Sequence, residues 1–536
     1  MSIINKNYAQ ESLKSAEEEY YYFLALQGLT ERPILNYRTL SDSVWIVDET
    51  TEHLWKNNNL GIFHPLIGDF RVRIYGPEIF MSANTTVPYG QNDGVLWQGR
   101  GFNTLFKGGA RFEGYGIELT ILPHISFSQN ASFDIMPSAY VNKYGYIWGY
   151  DYNIGVDAPQ RFGDKPFFEW DLGDSEIRYT WKTLTVGFGN QAIWLGPSKI
   201  NSIIHSNNAS SYPKIDIGLR KQRVTLPFND FYLGEIELRI WAGRLQESDF
   251  FDSYRTENNT NKYNLISGLS FAYSPFFIPG FFIYLNRTYI ADWTPASYYT
   301  ILSLITSNMM KKSGDSDVWD QRISLGFEYL IPQAGLDLYL DIAYNDVPGS
   351  SLELLIGNFS HTIAFTAGLK KGINIFNNKD IHSEIIFEYT HLEMSPFYSQ
   401  FLWANNFYMH HLVVQGYTNR GQWIGAGIGT GGNSQYLGYK TYYPKGFFNI
   451  FLYRFNNDND FLLRETTPSQ GYPYEKSNIN KHNQKTTLSF GLENCYFLLK
   501  YLNITSELTY NAIFHPSYNP VIIHNIHFSV NFKITI

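Results

Sequence analysis

The chain is short of charge, short of cysteine and without an uninterrupted apolar run that a helix could carry across a membrane. Charged residues are 17% of its 536 positions, against roughly 25% in an ordinary soluble globular protein. A single cysteine, Cys495, excludes an internal disulfide framework and leaves too few thiols for a cysteine-based metal site. Lys and Arg number 41 against 49 Asp and Glu, a net charge of -8. That balance argues against nucleic acid as a partner, because phosphate binding needs clustered cations. The opening MSIINKNYAQES lacks the apolar core of a secretory signal. An envelope protein starting this way has had its signal removed or has it encoded upstream; a cytosolic location is the competing expectation.

The best candidate for a membrane helix runs from Tyr263 to Asn286, with no charge inside it. A span needs about 20 apolar residues. Pro275, Pro279 and Gly280 lie in this one, after Ser267, Ser270 and Ser274. Proline removes a backbone donor and clashes with the preceding turn, so two strands joined at SPFFIPG are expected instead. Alternation along this hairpin is imperfect.

What the chain has in quantity is aromatic rings: 41 Tyr, 40 Phe and 12 Trp, 17% of the sequence. Mean hydropathy is nevertheless -0.25. Many rings, little charge and mild average polarity fit alternating strands. The last twelve residues, NIHFSVNFKITI, alternate without a break: Ile526, Phe528, Val530, Phe532, Ile534 and Ile536 against Asn525, His527, Ser529, Asn531, Lys533 and Thr535. Period-two patterning puts these sets on opposite faces of one strand. Similar segments recur from about residue 65, among them FRVRIYG, ARFEGYGIELTIL, TWKTLTVGFG, KIDIGLR, GEIELRIWAGRL, QRISLGFEYLI, GLDLYLDIAYND, HTIAFTAGLKKG, HSEIIFEYTHL, GFFNIFLYRF and TTLSFGL. About 16 to 18 segments of strand length are expected, and no repeat at propeller spacing accompanies them.

Several strands carry acids at every second position, such as Asp337, Asp341, Glu384 and Glu388. A soluble sandwich would turn these outward; a transmembrane barrel would turn them into a wet lumen and face the apolar side to lipid. The number of segments, the supply of rings for interfacial girdles and the intolerance of hydrocarbon for an open sheet edge favour the barrel. The fold class expected is thus all-β, a large antiparallel transmembrane barrel over 61–536, with a small helical module at 1–60. In that module a helix is expected from Ser12 to Gln27, with Leu13, Ala16, Tyr20, Phe23 and Leu24 on one side and Glu17, Glu18 and Glu19 on the other. A weaker helix is expected over 41–55. The module is expected to be an amphipathic cap packed on the barrel, with a docking surface or plug as alternatives.

Several motifs are weaker than they look. Gly427, Gly429 and Gly432 match the dinucleotide fingerprint, but no amphipathic helix follows; a glycine-rich strand and turn in the barrel wall is expected. His410 and His411 would point to opposite faces of a strand, and no zinc pattern accompanies them. Asp315, Asp317 and Asp320 lack the glycine and the terminal glutamate of a calcium loop. No G-x-S-x-G elbow occurs. The polar stretches 255–264 and 456–460 read as loops.

Four stretches carry a family resemblance: NDGVLWQGRGFNTLFKGGARFEGYGIEL (92–119), PSKINSIIHSNNASSYPKIDIG (197–218), YLIPQAGLDLYLDIAYND (329–346) and GYTNRGQWIGAGIGTGGNSQ (416–435). Over about 90–435 the chain resembles the Wzi-type capsule-assembly family of outer-membrane proteins. The resemblance implies a barrel near 18 strands, a helical N-terminal part on the periplasmic side, and a lectin-like role in holding capsular or other surface polysaccharide. It supplies no catalytic set and no cofactor. Sugars stack on rings and bond to amides and carboxylates, so aromatics near polar turns are the candidate contacts: Trp97, Trp148, Tyr150 and Trp403. The partners implied are a surface glycan and outer-membrane lipid, with a monomer expected. A diffusion channel is the competing function. A barrel enzyme with Ser, His and an acid gathered at one rim is a third.

Overall fold

A computed structural model describes residues 6–536 apart from 49, 59, 62, 137–142, 147–155, 229, 252–261, 306–318, 346–362, 375–377, 394–406, 411–412 and 467–478. Eighteen antiparallel strands close into a barrel. They are β1 (Arg71–Asn84), β2 (Gly101–Gly114), β3 (Ile117–Ile121, resuming as His124–Ser128), β4 (Phe167–Asp171, resuming as Glu176–Trp181), β5 (Leu184–Gly189) and β6 (Lys214–Thr225). Next come β7 (Tyr232–Gln246), β8 (Tyr263–Pro275), β9 (Phe281–Asp292), β10 (Trp319–Ile331), β11 (Leu336–Asn345) and β12 (Ile363–Ile373). The last six are β13 (His382–His391), β14 (Asn433–Tyr443), β15 (Gly446–Asn456), β16 (Thr486–Leu499), β17 (Leu502–Phe514) and β18 (Ile522–Thr535). The final strand closes the sheet on the first, with Phe528 opposite Ala83 and Val530 opposite Met81. Closure leaves no unpaired backbone edge, which is what a sheet in hydrocarbon requires.

Burial along β18 is inverted relative to a soluble protein. Phe528 is 49% exposed while Asn525 is fully buried, and His527, Ser529, Lys533 and Thr535 are buried with it. The same inversion runs round the wall: Ile215 and Ile217, Leu437, Ile450 and Leu452, and Leu508 face out, while Asp337, Asp341, Glu384 and Glu388 face in. The oily sides of the strands therefore look outward, as expected of a membrane-spanning barrel.

The lumen is filled with protein where a wet interior was expected. The N-terminal segment and the described residues of two long connections, 190–213 and 407–410 with 413–432, pack inside. Ile193, Ile203, Ile204, Tyr408, Tyr417, Ile424 and Ile428 form one core with the inward wall residues Trp241, Ile266, Ile290, Ala343, Ala364, Phe451 and Tyr453. Two wall glutamates pin the filling. Glu388 accepts from the backbone N–H groups of Lys199, Ile200 and Asn201 at 2.6, 3.0 and 2.7 Å. Glu237 accepts from those of Leu35, Asn36 and Tyr37 at 2.9, 3.0 and 2.6 Å. An inward carboxylate here is an anchor for three consecutive donors that would otherwise be buried and unmet, each at about 1–3 kcal/mol.

At the end of the barrel with the short turns, helix α1 (Ala16–Leu26) closes the bore. Ser15 caps it, its hydroxyl accepting from the Glu18 N–H at 3.2 Å. Tyr20, Phe23 and Trp55 pack on the inward faces of Tyr442 and Phe497. The expected solvent face of this helix is not there. Glu17 and Glu18 are buried; Lys533 reaches Glu11 at 2.7 Å and Glu17 at 2.9 Å, Lys440 reaches Glu19 at 2.5 Å, and Arg73 reaches Glu11 at 2.6 Å. Cations from the barrel wall create a polar environment for the acids that helical periodicity alone assigned to water.

Two further expectations are corrected. The described residues of 41–55 are not helical: Val44–Asp48 is a strand paired with Lys6–Gln10, in keeping with its β-branched residues. The polar stretch at 456–460 is not all loop, because a short helix begins at Asn459 and runs to Thr466. The proline-broken segment does form a hairpin, β8 and β9, turning at 276–280 with Gly280 at φ +81°. Strands β14 and β17 carry mixed faces and were not anticipated; on β14, Lys440 is the inward cation that holds Glu19.

Candidate ligand cleft at the long-loop end

Long connections gather at the end opposite α1. There they surround a cleft of about 710 Å³, lined by residues 86–91 and 485, by Trp97, Arg100, Asp134, Tyr146, Phe162, Asn208 and Trp423, and by residues 516–519. Asn208 of the lining belongs to an amide network between loops. Asn92 N–H donates to Asn208 Oδ1 at 3.0 Å, Asn207 Nδ2 donates to the Asn92 carbonyl at 3.0 Å, and Asn208 Nδ2 donates to the Trp423 carbonyl at 3.0 Å. Asn92 holds φ +63°, a left-handed conformation that asparagine tolerates better than most residues. Tyr453, on the wall of β15, donates to Gln91 Oε1 at 3.1 Å.

Rings and a few charges form the sides. Tyr146 stands edge-on to Trp423 at 5.6 Å, and Trp97 edge-on to Phe162 at 5.0 Å. Arg100 Nε donates to the Thr85 carbonyl at 3.1 Å, and its Nη1 donates to the Ser132 carbonyl. Burial lowers the Lys485 ammonium below the ordinary lysine range, and Asp458 partly offsets it. Asp93 lies just behind the lining. Burial pushes its carboxyl up to about 7, against a bond at 2.8 Å from Gln98 Nε2.

A second cleft, about 480 Å³, adjoins the first. Phe162 lines both, and Phe167, Trp170, Phe250, Glu169, Asp249, Arg244 and Arg420 line the second. Arg420 and Glu169 pair at 3.1 Å. Nearby Asp157 accepts from the Ser248 N–H at 2.6 Å and hydroxyl at 2.5 Å; burial raises it to about 6. Among the described residues, no group of three or more His, Cys, Asp or Glu is placed to hold a metal ion. A mixture of ring faces, amides and isolated charges can stack on and hydrogen-bond an extended polar ligand.

Of the expected contact residues, Trp97 lines the main cleft, half-buried. Trp148, Tyr150 and Trp403 lie outside the described residues, as do His411, Asp315 and Asp317. The residues of 421–432 are not wall. They belong to the filling of the bore, where a Cβ on Gly425 would stand 2.3 Å from the Tyr408 hydroxyl and 2.4 Å from the Ile203 carbonyl. Trp423, Phe162, Tyr146, Arg100 and Lys485 were not nominated from sequence. Trp423 and Asn208 sit in the two stretches that carry most of the family resemblance, and that was the available signal.

A comparison with curated protein sequences found no match. Among solved structures the chain is similar to Wzi of Escherichia coli, described as an outer-membrane, carbohydrate-binding β-barrel involved in group 1 capsule assembly. Identity is 11%, 99% of each chain is covered and the TM-score is 0.59. OprB of Pseudomonas putida is 10% identical over 87% of this chain and 94% of its own (TM-score 0.38); OccD3 of Pseudomonas aeruginosa is 10% identical over 88% and 93% (TM-score 0.41). The likeness to Wzi fixes the fold; the other two are too distant to bear on this chain. The family model for capsule assembly protein Wzi matches residues 104–511, well over half of the sequence and beyond the 90–435 span of the resembling stretches. The chain belongs to the Wzi capsule assembly protein family.

Proposed function

We propose that this outer-membrane barrel holds a surface polysaccharide, capsular or similar, at its long-loop mouth and makes or breaks no bond in it. The observation that carries the reading is the 710 Å³ cleft of rings and amides set over a bore filled with protein. The E. coli protein of the same fold is described as carbohydrate-binding, and family membership points to capsule assembly. Holding a glycan needs stacking and hydrogen bonding, and Trp97, Trp423, Tyr146, Gln91 and Asn208 offer both.

The N-terminal module, 1–60, is read as the periplasmic closure of a barrel spanning 61–536. Short turns at its end support this, since outer-membrane barrels keep short turns on the periplasmic side and long loops outside. The partners proposed are the glycan and outer-membrane lipid, with the barrel acting as a monomer. The test is binding of the purified barrel to polysaccharide stripped from its host, with liposome swelling by small solutes run in parallel. Saturable binding without swelling is expected. Swelling without binding overturns the reading in favour of a channel.

A further inference from the structure

We infer that residues 293–305 form an interfacial strap, lying outside the barrel and inserted into the membrane leaflet at the long-loop end. The register of β8, β9 and β10 carries the inference. Trp241 and Gly268 are cross-strand partners, and Trp241 belongs to the core inside the bore, so Ser267 points outward. Ser267, Tyr289 and Gln321 are successive partners in one outward row. In a lipid-facing row these side chains should be exposed, as Phe528 is. Yet Ser267 and Tyr289 are fully buried and Gln321 nearly so. Leu265 and Ala291, the outward pair one row nearer the loops, are buried as well.

What covers them is the turn Pro295–Tyr298 and the short helix α2 (Tyr299–Ser303). Ser267 Oγ donates to Thr300 Oγ1 at 3.0 Å. Arg287, also outward on β9, donates to the Ser303 carbonyl at 3.0 Å and to Gln321 Oε1 at 3.2 Å. The strap thus shields a cation and a polar row on the outer face of the wall. Its outer face is Tyr298, Tyr299, Leu302 and Ile305, half exposed or more, and no charged residue occurs from 293 to 305. This face is continuous with the apolar exterior of the barrel. The occupant it fits is the boundary between headgroups and acyl chains, where tyrosine and aliphatic side chains are favoured together. The inference is independent of whether the mouth binds a glycan.

The test is spin labelling of Leu302→Cys and Ile305→Cys in proteoliposomes, with Phe528→Cys as the lipid reference and Lys481→Cys as the water reference. Cys495 is buried and stays unlabelled in the folded barrel; heat-modifiable gel mobility verifies folding of each variant. Labels at 302 and 305 are expected to match position 528, with oxygen collisions severalfold above those of a water-soluble nickel reagent. Matching position 481 overturns the inference. So does protection from both reagents, which would mean that protein, such as a second copy, covers the strap.

Discussion

The two ends of the barrel are closed by different chemistry. At the short-turn end the filling is held by buried ion pairs: Lys533 with Glu11 and Glu17, Arg73 with Glu11, Lys440 with Glu19. At the long-loop end the contacts around the cleft are amide to carbonyl, through Asn92, Asn207 and Asn208, and ring to ring. At the short-turn end these ion pairs between filling and wall impose one docking geometry. Neutral amides and rings keep their affinity for a sugar and hold a cleft without a strong local field. One end is suited to permanence, the other to a ligand.

Breaking the first end should have the largest effect. Lys533→Ala leaves Glu11 and Glu17 buried with one cation fewer, a change of the kind that costs about 3–5 kcal/mol. The expected outcome is a clear fall in the thermal midpoint followed by heat-modifiable mobility, with glycan affinity unchanged in barrels that remain folded. Next comes the anchor midway along the bore. Glu388→Ala strands three plug donors at roughly 1 kcal/mol or more each and should loosen residues 199–201. Planar-bilayer recordings should then show ion conductance that the parent lacks. If Glu388→Ala stays closed and exchanges no faster at these amides, the anchoring role is wrong.

The second end should respond in binding and not in stability. Trp423→Ala removes a ring from the cleft and, like other aromatic truncations in binding sites, should cost about 1–2 kcal/mol. That is a roughly five- to thirtyfold rise in Kd for the polysaccharide by surface plasmon resonance, at an unchanged melting midpoint. The smallest effect is a pH dependence at Asp93. Its carboxyl titrates near 7 in the fold, above the ordinary value of 3.8. Its contribution is therefore complete below about pH 4 and is lost as pH rises through 7. Amides of 93–98 should show severalfold faster exchange at pH 8 than at pH 6, after correction for intrinsic rates. Asp93→Asn should abolish the difference.

The sequence was most readable where one face meets a uniform solvent. Alternation on β18 predicted which residues look outward because lipid accepts any apolar side chain and rejects any charge, whatever the neighbours. The same reasoning failed at Glu17 and Glu19, which periodicity assigned to water and which lie against the wall cations Lys533 and Lys440, more than 400 residues away in the chain. It also failed at Ser267, whose place in an apolar row makes sense only with Thr300 above it. In the cleft, Trp97 was found because it borders a polar turn. Phe162 and Tyr146 were missed because nothing local distinguishes a cleft ring from a girdle ring.

By itself the sequence determined that this chain crosses a membrane on strands, since period two and a low charge content are local properties read against a single medium. Only the tertiary structure decided that the bore is filled, that Glu237 and Glu388 serve the filling, and where the cleft opens. Those outcomes depend on which distant segments share the interior. A carboxylate looks the same in the sequence whether it faces water, an ammonium group or three backbone donors.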